Sequence, residues 1–275
     1  MICLAGNGWG AVAALESLQK EFNRIEIYST DINVSKLIRD CDVAINDLNC
    51  AESEYVVCAG YQKVVSEYEL KKKKYINIHY SLLPKYRGLH SVVWGILNGE
   101  EDFGVTVHLM DKNIDNGPII KQFSFSDNTK NAKEVMEYCN AIVLNNLGGV
   151  VKSYINGEIV ETVQNFEEAT WVPRRNLDDC LIDYNETVHE ISLLFRALVR
   201  PYPLPMIEVE GKRFEVTDYE LKKRTYKCTI GRVVNLDENG AWIKIKDGLL
   251  IVKRLEIDCK KFNPNDILKI GQRLK

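Results

Sequence analysis

The hydrophobic positions in the first part of the chain alternate between short apolar runs and stretches with helical spacing. Short apolar runs that end at a turn are typical of buried strands in a parallel sheet. Between them, apolar residues recur every three or four positions, as on one face of a helix. This pattern predicts strands over residues 1–6, 25–28, 55–59, 76–79 and 104–109, and helices over 11–22, 34–39, 91–97 and 131–154. Strands that alternate with helices indicate an α/β domain with a doubly wound, mostly parallel sheet.

The pattern changes in the second half of the chain. Residues 167–183 contain a proline and paired arginines and aspartates, which predict a linker over the surface. An amphipathic helix over 186–199 follows, and the prolines of PYPLP end it. Five runs of alternating β-branched residues, separated by turn signals such as Asp247-Gly248, then predict a small antiparallel barrel or sandwich. We therefore expect one domain over residues 1–175 and a β-rich domain over 176–275.

Composition restricts the possible partners and location. The chain has 275 residues, 45% hydrophobic and 27% charged, and a net charge of −3. This charge gives no indication of a nucleic-acid partner. No run approaches the length of a membrane span, and no basic segment precedes an apolar one at the start. The eight cysteines form no CxxC pair, so we expect free thiols, no metal site, no membrane partner and a cytoplasmic location.

A glycine-rich turn follows the first predicted strand. Gly6, Gly8 and Ala11 fit the dinucleotide pattern G-x-G-x-x-G/A, and Asp31 lies about 20 residues further on. The turn is therefore consistent with an NAD(P) site. It is equally consistent with a cradle for another anion, such as the phosphates of a nucleotide-linked substrate, or with a tight turn that has no ligand.

The stretch over residues 75–120 carries the strongest candidate chemistry. Asn77 and His79 stand two residues apart at the end of a predicted strand, and Asp115 lies in a loop rich in Asn and Gly. An amide, an imidazole and a carboxylate at one end of a sheet can stabilise an oxyanion and move a proton. Each residue alone is more often structural. His90, His108 and His189 lack such neighbours in the sequence, and we interpret them as structural or surface residues.

The segment NIHYSLLPKYRG resembles the signature of the N10-formyltetrahydrofolate-dependent formyltransferases. The resemblance extends upstream through YVVCAGYQKVVS and downstream through NGEEDFGVTVHLMDKNIDNGPII. The segment from WVPRRN to PYP resembles the start of the C-terminal domain in the tRNA and aminoarabinose enzymes of this superfamily. The family's usual P-Y-P-G-A reads P-Y-P-L-P here. The resemblance implies a Rossmann-like catalytic domain followed by a small domain like an open barrel.

The resemblance also implies roles for individual residues. Asn77, a protonated His79 and Asp115 match the family's catalytic constellation, with formyl transfer from N10-formyltetrahydrofolate to an amine and no metal. The sequence leaves open whether Asp115 orients His79, favours its protonated form or takes the proton. The folate pocket would be formed by Gln62, Lys63, Val64, Val65, Asp111 and Asp115. Candidate residues for the second substrate are Asn7, Gly8, Trp9, Gly10, Ser81, Lys85, Tyr86 and Arg87.

The identity of the amine acceptor is a separate question. A β-rich second domain argues against glycinamide ribonucleotide as the acceptor. The interval 29–47 is short and holds four aspartates against two basic residues, which argues against tRNA because tRNA binding depends on phosphate neutralisation. We therefore expect a UDP- or dTDP-linked amino-dideoxysugar used for bacterial surface polysaccharide. A methionyl-tRNA formyltransferase, a catalytically silent folate- or nucleotide-binding module, and an NAD(P) enzyme are the alternatives. The β-rich domain could pair two protomers, since its edge strands need cover.

Overall fold

A computed structural model describes residues 1–274, and the chain divides into two compact units. The first unit contains Met1–Gly95, Glu101–Asn128 and Glu134–Arg174. The second contains Ile96–Glu100, Thr129–Lys133 and the rest of the chain from Arg175. None of the described helices is both long and apolar enough to span a membrane.

The first unit is built on a seven-stranded sheet. The strands up to residue 172 are β1 Ile2–Gly6, β2 Ile25–Tyr28, β3 Val43–Ala44, β4 Tyr55–Ala59, β5 Lys74–His79, β6 Arg87–Gly88, β7 Asp102–Leu109, β8 Ile119–Ser126 and β9 Trp171–Val172. The sheet order is β3-β2-β1-β4-β5-β7-β8, while β6 and β9 pair separately. The first five strands of this order are parallel to one another. Strand β7 is antiparallel to both of its neighbours, β5 and β8. The predicted doubly wound, mostly parallel sheet is confirmed.

Helices connect the strands of the sheet. The helices up to residue 155 are α1 Gly8–Glu21, α2 Ile32–Ser35, α3 Glu67–Lys72, α4 Ser91–Leu97 and α5 Ala132–Ile155. The bounds of α4 agree with the prediction. The helix predicted over 34–39 is shorter and begins earlier, because the Asp31 side chain caps it by accepting from Asn33 N–H.

The second unit is dominated by antiparallel strands. Its elements are α6 Val188–Ala197, β10 Met206–Val209, β11 Lys212–Lys223, β12 Val233–Asp237, β13 Gly240–Lys244, β14 Gly248–Ile257, β15 Lys260–Phe262 and α7 Pro264–Ile267. The sheet order is β10-β11-β14-β13-β12, with β15 also paired to β14. The predicted β-rich C-terminal domain is confirmed as an antiparallel sheet. A capping box formed by Thr187 and Glu190 starts α6, two residues later than predicted.

The loops that follow β1 and β4 are held against each other by a close backbone approach. Gly6 ends β1, and a Cβ added to it would lie 1.8 Å from the Ala59 carbonyl oxygen. Asn7 N–H donates to the same oxygen at 3.2 Å. Because β1 and β4 are parallel neighbours, their carboxyl ends lie at one edge of the sheet, where ligands bind in open α/β folds. Glycine at position 6 therefore allows two loops of that edge to meet.

We predict that Gly6→Ala destabilises the protein by about 3 kcal/mol, because the added methyl forces β1 and β4 apart. Urea unfolding followed by circular dichroism measures this change. The matched control is Gly149→Ala in α5, where an added Cβ meets no atom within 4 Å. The control is expected to stabilise the protein by up to about 1 kcal/mol, since alanine favours a helix. Equal effects at the two positions would contradict the prediction.

Candidate active site

Asn77, His79 and His108 are brought together by strand pairing. Asn77 and His79 are two residues apart in β5, so their side chains project from the same face of the sheet. The antiparallel register places His108 of β7 directly opposite Asn77, and residues in such a pair share a face. The Asn77 Nδ2 atom lies 3.2 Å from His108 Nε2. His108 is therefore in contact with the predicted trio, a contact that our interpretation of it as a structural or surface residue did not include.

Asp115 reaches the same face from the loop between β7 and β8. Its Oδ1 accepts from Asn77 Nδ2 at 3.2 Å and lies 3.5 Å from His108 Nε2. Its Oδ2 accepts from Gly88 N–H at 2.8 Å and lies 3.5 Å from His79 Nδ1. The carboxylate is largely buried, and all four of these partners lie on other parts of the chain. The structure thus brings the three sequence-predicted residues into one cluster.

Burial and hydrogen bonding set the protonation states in the cluster. Burial alone raises the pKa of Asp115, but the hydrogen bond with His108, the nearby His79 and Gly88 N–H outweigh it and hold the pKa at about 2. Burial lowers the pKa of His79, although Asp115 and the Tyr86 carbonyl act in the opposite direction. Asp115 is therefore ionised and His79 neutral at pH 7. This direction is opposite to our expectation of a protonated His79, because burial outweighs the neighbouring carboxylate.

The tautomer of His79 follows from one backbone contact. Its Nε2 lies 2.8 Å from the carbonyl oxygen of Tyr86, which can only accept, so Nε2 carries the proton. In the neutral ring Nδ1 is then unprotonated. It lies on the side of Asp115, whose negative charge would stabilise the imidazolium formed when Nδ1 takes a proton. This geometry suits a general base.

The loop after β5 divides into buried and exposed residues. Ser81 is buried and donates to the carbonyl of Lys85 at 2.7 Å. The Arg87 side chain is only 1% exposed and donates to Gln164 Oε1. Contrary to our prediction, these two side chains support the site from behind and leave no surface for a substrate. Lys85 is exposed and Tyr86 half-buried, so they remain candidates for substrate contact.

The loop between β1 and α1 is occupied by contacts within the protein. Gly8 N–H donates to the Asp31 carboxylate at 2.7 Å, and Asn7 Oδ1 accepts from Thr30 N–H at 3.0 Å. The start of α1 thus already faces an anion, which would repel a phosphate at the same place. The resemblance of this loop to a phosphate cradle therefore does not extend to its hydrogen bonds. Trp9, in the first turn of α1, has 53% of its surface exposed and is open to a ligand.

Trp9 borders a groove of about 360 Å³ between α1 and α5. The groove is lined mostly by apolar atoms, and its other lining residues are Val12, Ala13, Glu16, Glu137, Asn140, Ala141 and Leu144. Tyr80, next to His79 in the chain, donates from its hydroxyl to Asn140 Oδ1 at 2.6 Å. Tyr80 therefore contacts one of the residues that line the groove.

The predicted folate residues lie in two loops. In the loop after β4, Gln62, Lys63 and Val64 are exposed, whereas Val65 is buried. In the loop after β7, the Asp111 carboxylate accepts from Asn113 N–H and Asn116 Nδ2, both at 2.7 Å. Asp111 thus shapes the loop that carries Asp115. No group of three or more His, Cys, Asp or Glu side chains among residues 1–274 is arranged to hold a metal ion.

Comparison with known proteins identifies the family. Residues 36–139 match the family "Formyl transferase", and residues 176–270 match "Formyl transferase, C-terminal domain". The methionyl-tRNA formyltransferase of Clostridium tetani is 28% identical over 82% of this chain and 73% of its own length. The bifunctional polymyxin resistance protein ArnA of Wigglesworthia glossinidia brevipalpis is 32% identical over 83% of this chain and 35% of its own length.

A solved structure shows the same fold over nearly the whole chain. The N-formyltransferase from Helicobacter canadensis, in complex with folinic acid and dTDP-3-aminofucose, superposes with a TM-score of 0.70 and 21% identity. The match covers 95% of this chain and 99% of that one. With matches to both of its domains and a cluster suited to acyl transfer, this chain belongs to the formyl transferase family and is a formyltransferase.

Proposed function

We propose that the protein transfers the formyl group of N10-formyltetrahydrofolate to the primary amine of a UDP- or dTDP-linked amino-dideoxysugar. The observation that carries the reaction is the neutral, buried His79 with its free Nδ1 beside the ionised Asp115. The sugar acceptor is supported by the dTDP-3-aminofucose bound to the similar Helicobacter canadensis enzyme. It is also supported by the charge of −3, which is unfavourable for binding tRNA phosphates.

The proposed reaction is direct attack by the amine. The amine nitrogen forms a bond to the formyl carbon, and the formyl oxygen becomes an oxyanion that accepts a hydrogen bond from Asn77 Nδ2. Asn77 Nδ2 lies 3.2 Å from both Asp115 Oδ1 and His108 Nε2, so the oxyanion replaces one of these neighbours. His79 Nδ1 takes the proton of the amine, and Asp115 stabilises the imidazolium. The bond from the formyl carbon to N10 then breaks, and the His79 imidazolium returns its proton to N10.

The two substrates are assigned to different surfaces. The exposed backbone of Gln62 to Val64 and the loop at Asp111 would hold the pterin, whose planar edge can pair with extended backbone. Trp9 and its groove would hold the base or sugar by stacking. The carboxylates of Glu16 and Glu137 make the groove unsuitable for the diphosphate, for which we propose the exposed Lys85.

The decisive test is mass spectrometry of nucleotide-linked amino sugars incubated with the protein and N10-formyltetrahydrofolate. We expect one member of a UDP- and dTDP-linked panel to gain one formyl group, about 28 Da. Methionyl initiator tRNA serves as the competing substrate, because curated relatives of this chain include methionyl-tRNA formyltransferases. Formylation of the tRNA with every sugar unchanged would replace the proposed acceptor. If the protein binds the folate but formylates neither the sugars nor the tRNA, it is a silent binding module.

The pH dependence of kcat/KM tests the assignment of the base. We expect activity to fall only below the ordinary pKa of histidine, about 6.5, because burial lowers the pKa of His79. Asp115→Asn removes the charge that raises the pKa of His79, so the acid limb should move to still lower pH. The kcat of this variant should fall on the order of 100-fold. An acid limb above pH 6.5, or a shift to higher pH in Asp115→Asn, would contradict the assignment.

A substitution at Trp9 tests the substrate groove. We predict that Trp9→Ala raises KM for the amino sugar about tenfold, because a stacking contact worth roughly 1–1.5 kcal/mol is lost. The kcat value and KM for the folate should change little, since within residues 1–274 no hydrogen bond or ring contact joins Trp9 to the catalytic cluster. The matched control is Tyr138→Ala, which removes a ring of similar exposure, 50%, from α5. The same rise in KM for both variants would argue against the groove.

A further inference from the structure

The backbone of the Asp115 loop is fixed by a buried side chain that the mechanism above does not use. Gln164 lies between α5 and β9, and its Nε2 donates to the carbonyl of Asp115 at 3.0 Å and to the carbonyl of Gly117 at 2.7 Å. One amide group thus holds two carbonyls that flank Asn116. Within residues 1–274, Gln164 is the only hydrogen-bond donor to either carbonyl.

Arg87 determines which way the Gln164 amide points. The guanidinium donates to Gln164 Oε1 from Nε at 3.2 Å and from Nη2 at 2.7 Å. Its central carbon also lies 5.9 Å and 5.5 Å from the ring centroids of Phe166 and Trp171. Because a guanidinium has donors and no acceptor, the amide oxygen must face Arg87. The NH₂ group must then face the two carbonyls.

The conformation held in this way is an uncommon one. Asp115 has a φ of +50°, in the left-handed region of backbone conformation that residues other than glycine seldom adopt. Such a conformation persists only where its surroundings impose it. It is also the conformation in which the carboxylate reaches both Gly88 N–H, at 2.8 Å, and the imidazole of His79, at 3.5 Å.

We propose that Gln164, oriented by Arg87, is a positioning residue of the formyl-transfer site. It touches no reacting atom and acts by holding Asp115 where its carboxylate stabilises the protonated His79. The role in turnover rests on the proposed function, whereas the role in holding Asp115 does not. Loss of the two hydrogen bonds should slow proton transfer and leave the surface assigned to the sugar unchanged.

The test is the isosteric variant Gln164→Glu. Its carboxylate still pairs with Arg87, so the buried guanidinium keeps a partner, but an oxygen replaces the NH₂ group that faces the two carbonyls. We expect kcat to fall tenfold to 100-fold, with KM for the amino sugar within twofold of the wild type. A crystal structure of the variant should show the Asp115 carboxylate displaced from Gly88 N–H.

Two further variants control the test. Asn165→Asp makes the same amide-to-acid change one residue away, on an exposed side chain, and should leave kcat unchanged. Arg87→Lys keeps the charge and loses the two-pronged contact with Oε1, so it should give a smaller loss of kcat in the same direction. It also serves if Gln164→Glu does not fold.

A kcat of folded Gln164→Glu within twofold of the wild type would overturn the proposal. So would a crystal structure in which the Asp115 carboxylate has not moved, or a loss that disappears after correction for the folded fraction. If the wild-type protein formylates no amine, the proposed function fails. The position of Asp115 in the crystal of the variant still decides whether Gln164 holds it.

Discussion

The burial of one carboxylate is the constraint on which the candidate site depends. Removing the Asp115 charge from water is unfavourable unless hydrogen-bond donors and cationic or polarised partners surround it. Gly88 N–H, Asn77 and His108 provide these contacts, with His79 nearby. The same contacts bring these residues to one point. The arrangement that stabilises the charge is therefore also the arrangement that can carry out the chemistry.

The antiparallel edge of the sheet makes this cluster possible. If β7 were parallel to β5, the two strands would pair in a different register. As an antiparallel neighbour, β7 places His108 opposite Asn77 and then continues into the loop that carries Asp115. The separate pair of β6 and β9 adds Gly88 from one strand and brings Trp171 of the other beside Arg87. The cluster thus combines local strand geometry with contacts between distant segments.

Local patterns predicted much of this arrangement, whereas long-range pairing was not predictable from them. The apolar runs located β2 and β4 with their observed bounds, and the period of two in a strand placed Asn77 and His79 on one face. The edge strand β8 was missed because its residues are mostly half-exposed and form no apolar run. The contact of His108 with the cluster follows only from the register between β5 and β7. The pattern VTVH, in which every second residue shares a face, would have indicated it if that pairing had been known.

The burial of Arg87 could not be predicted from the local sequence either. In the sequence, Arg87 follows Lys85 and Tyr86, and a basic, aromatic loop is reasonably read as a binding surface. The partners that bury it, Gln164 and Trp171, are more than 75 residues away in the chain. Nothing near position 87 signals them. An arginine with neutral and aromatic partners can be placed in the interior because its charge is delocalised over a planar group.

The choice of acceptor must be made outside the catalytic cluster. Methionyl-tRNA formyltransferases and an N-formyltransferase in complex with dTDP-3-aminofucose are both similar to this chain. Formyl transfer to an amine requires only a base and an oxyanion donor from the site. A cluster that serves these steps cannot by itself distinguish a sugar amine from a methionyl amine. The distinction has to arise where the rest of the acceptor lies, through contacts that favour one and repel the other. An exposed indole beside an apolar groove rimmed by two carboxylates favours a stacked ring and disfavours a polyphosphate backbone. These surfaces differ from the buried cluster in charge and exposure, so acceptor choice can change while the chemistry is kept.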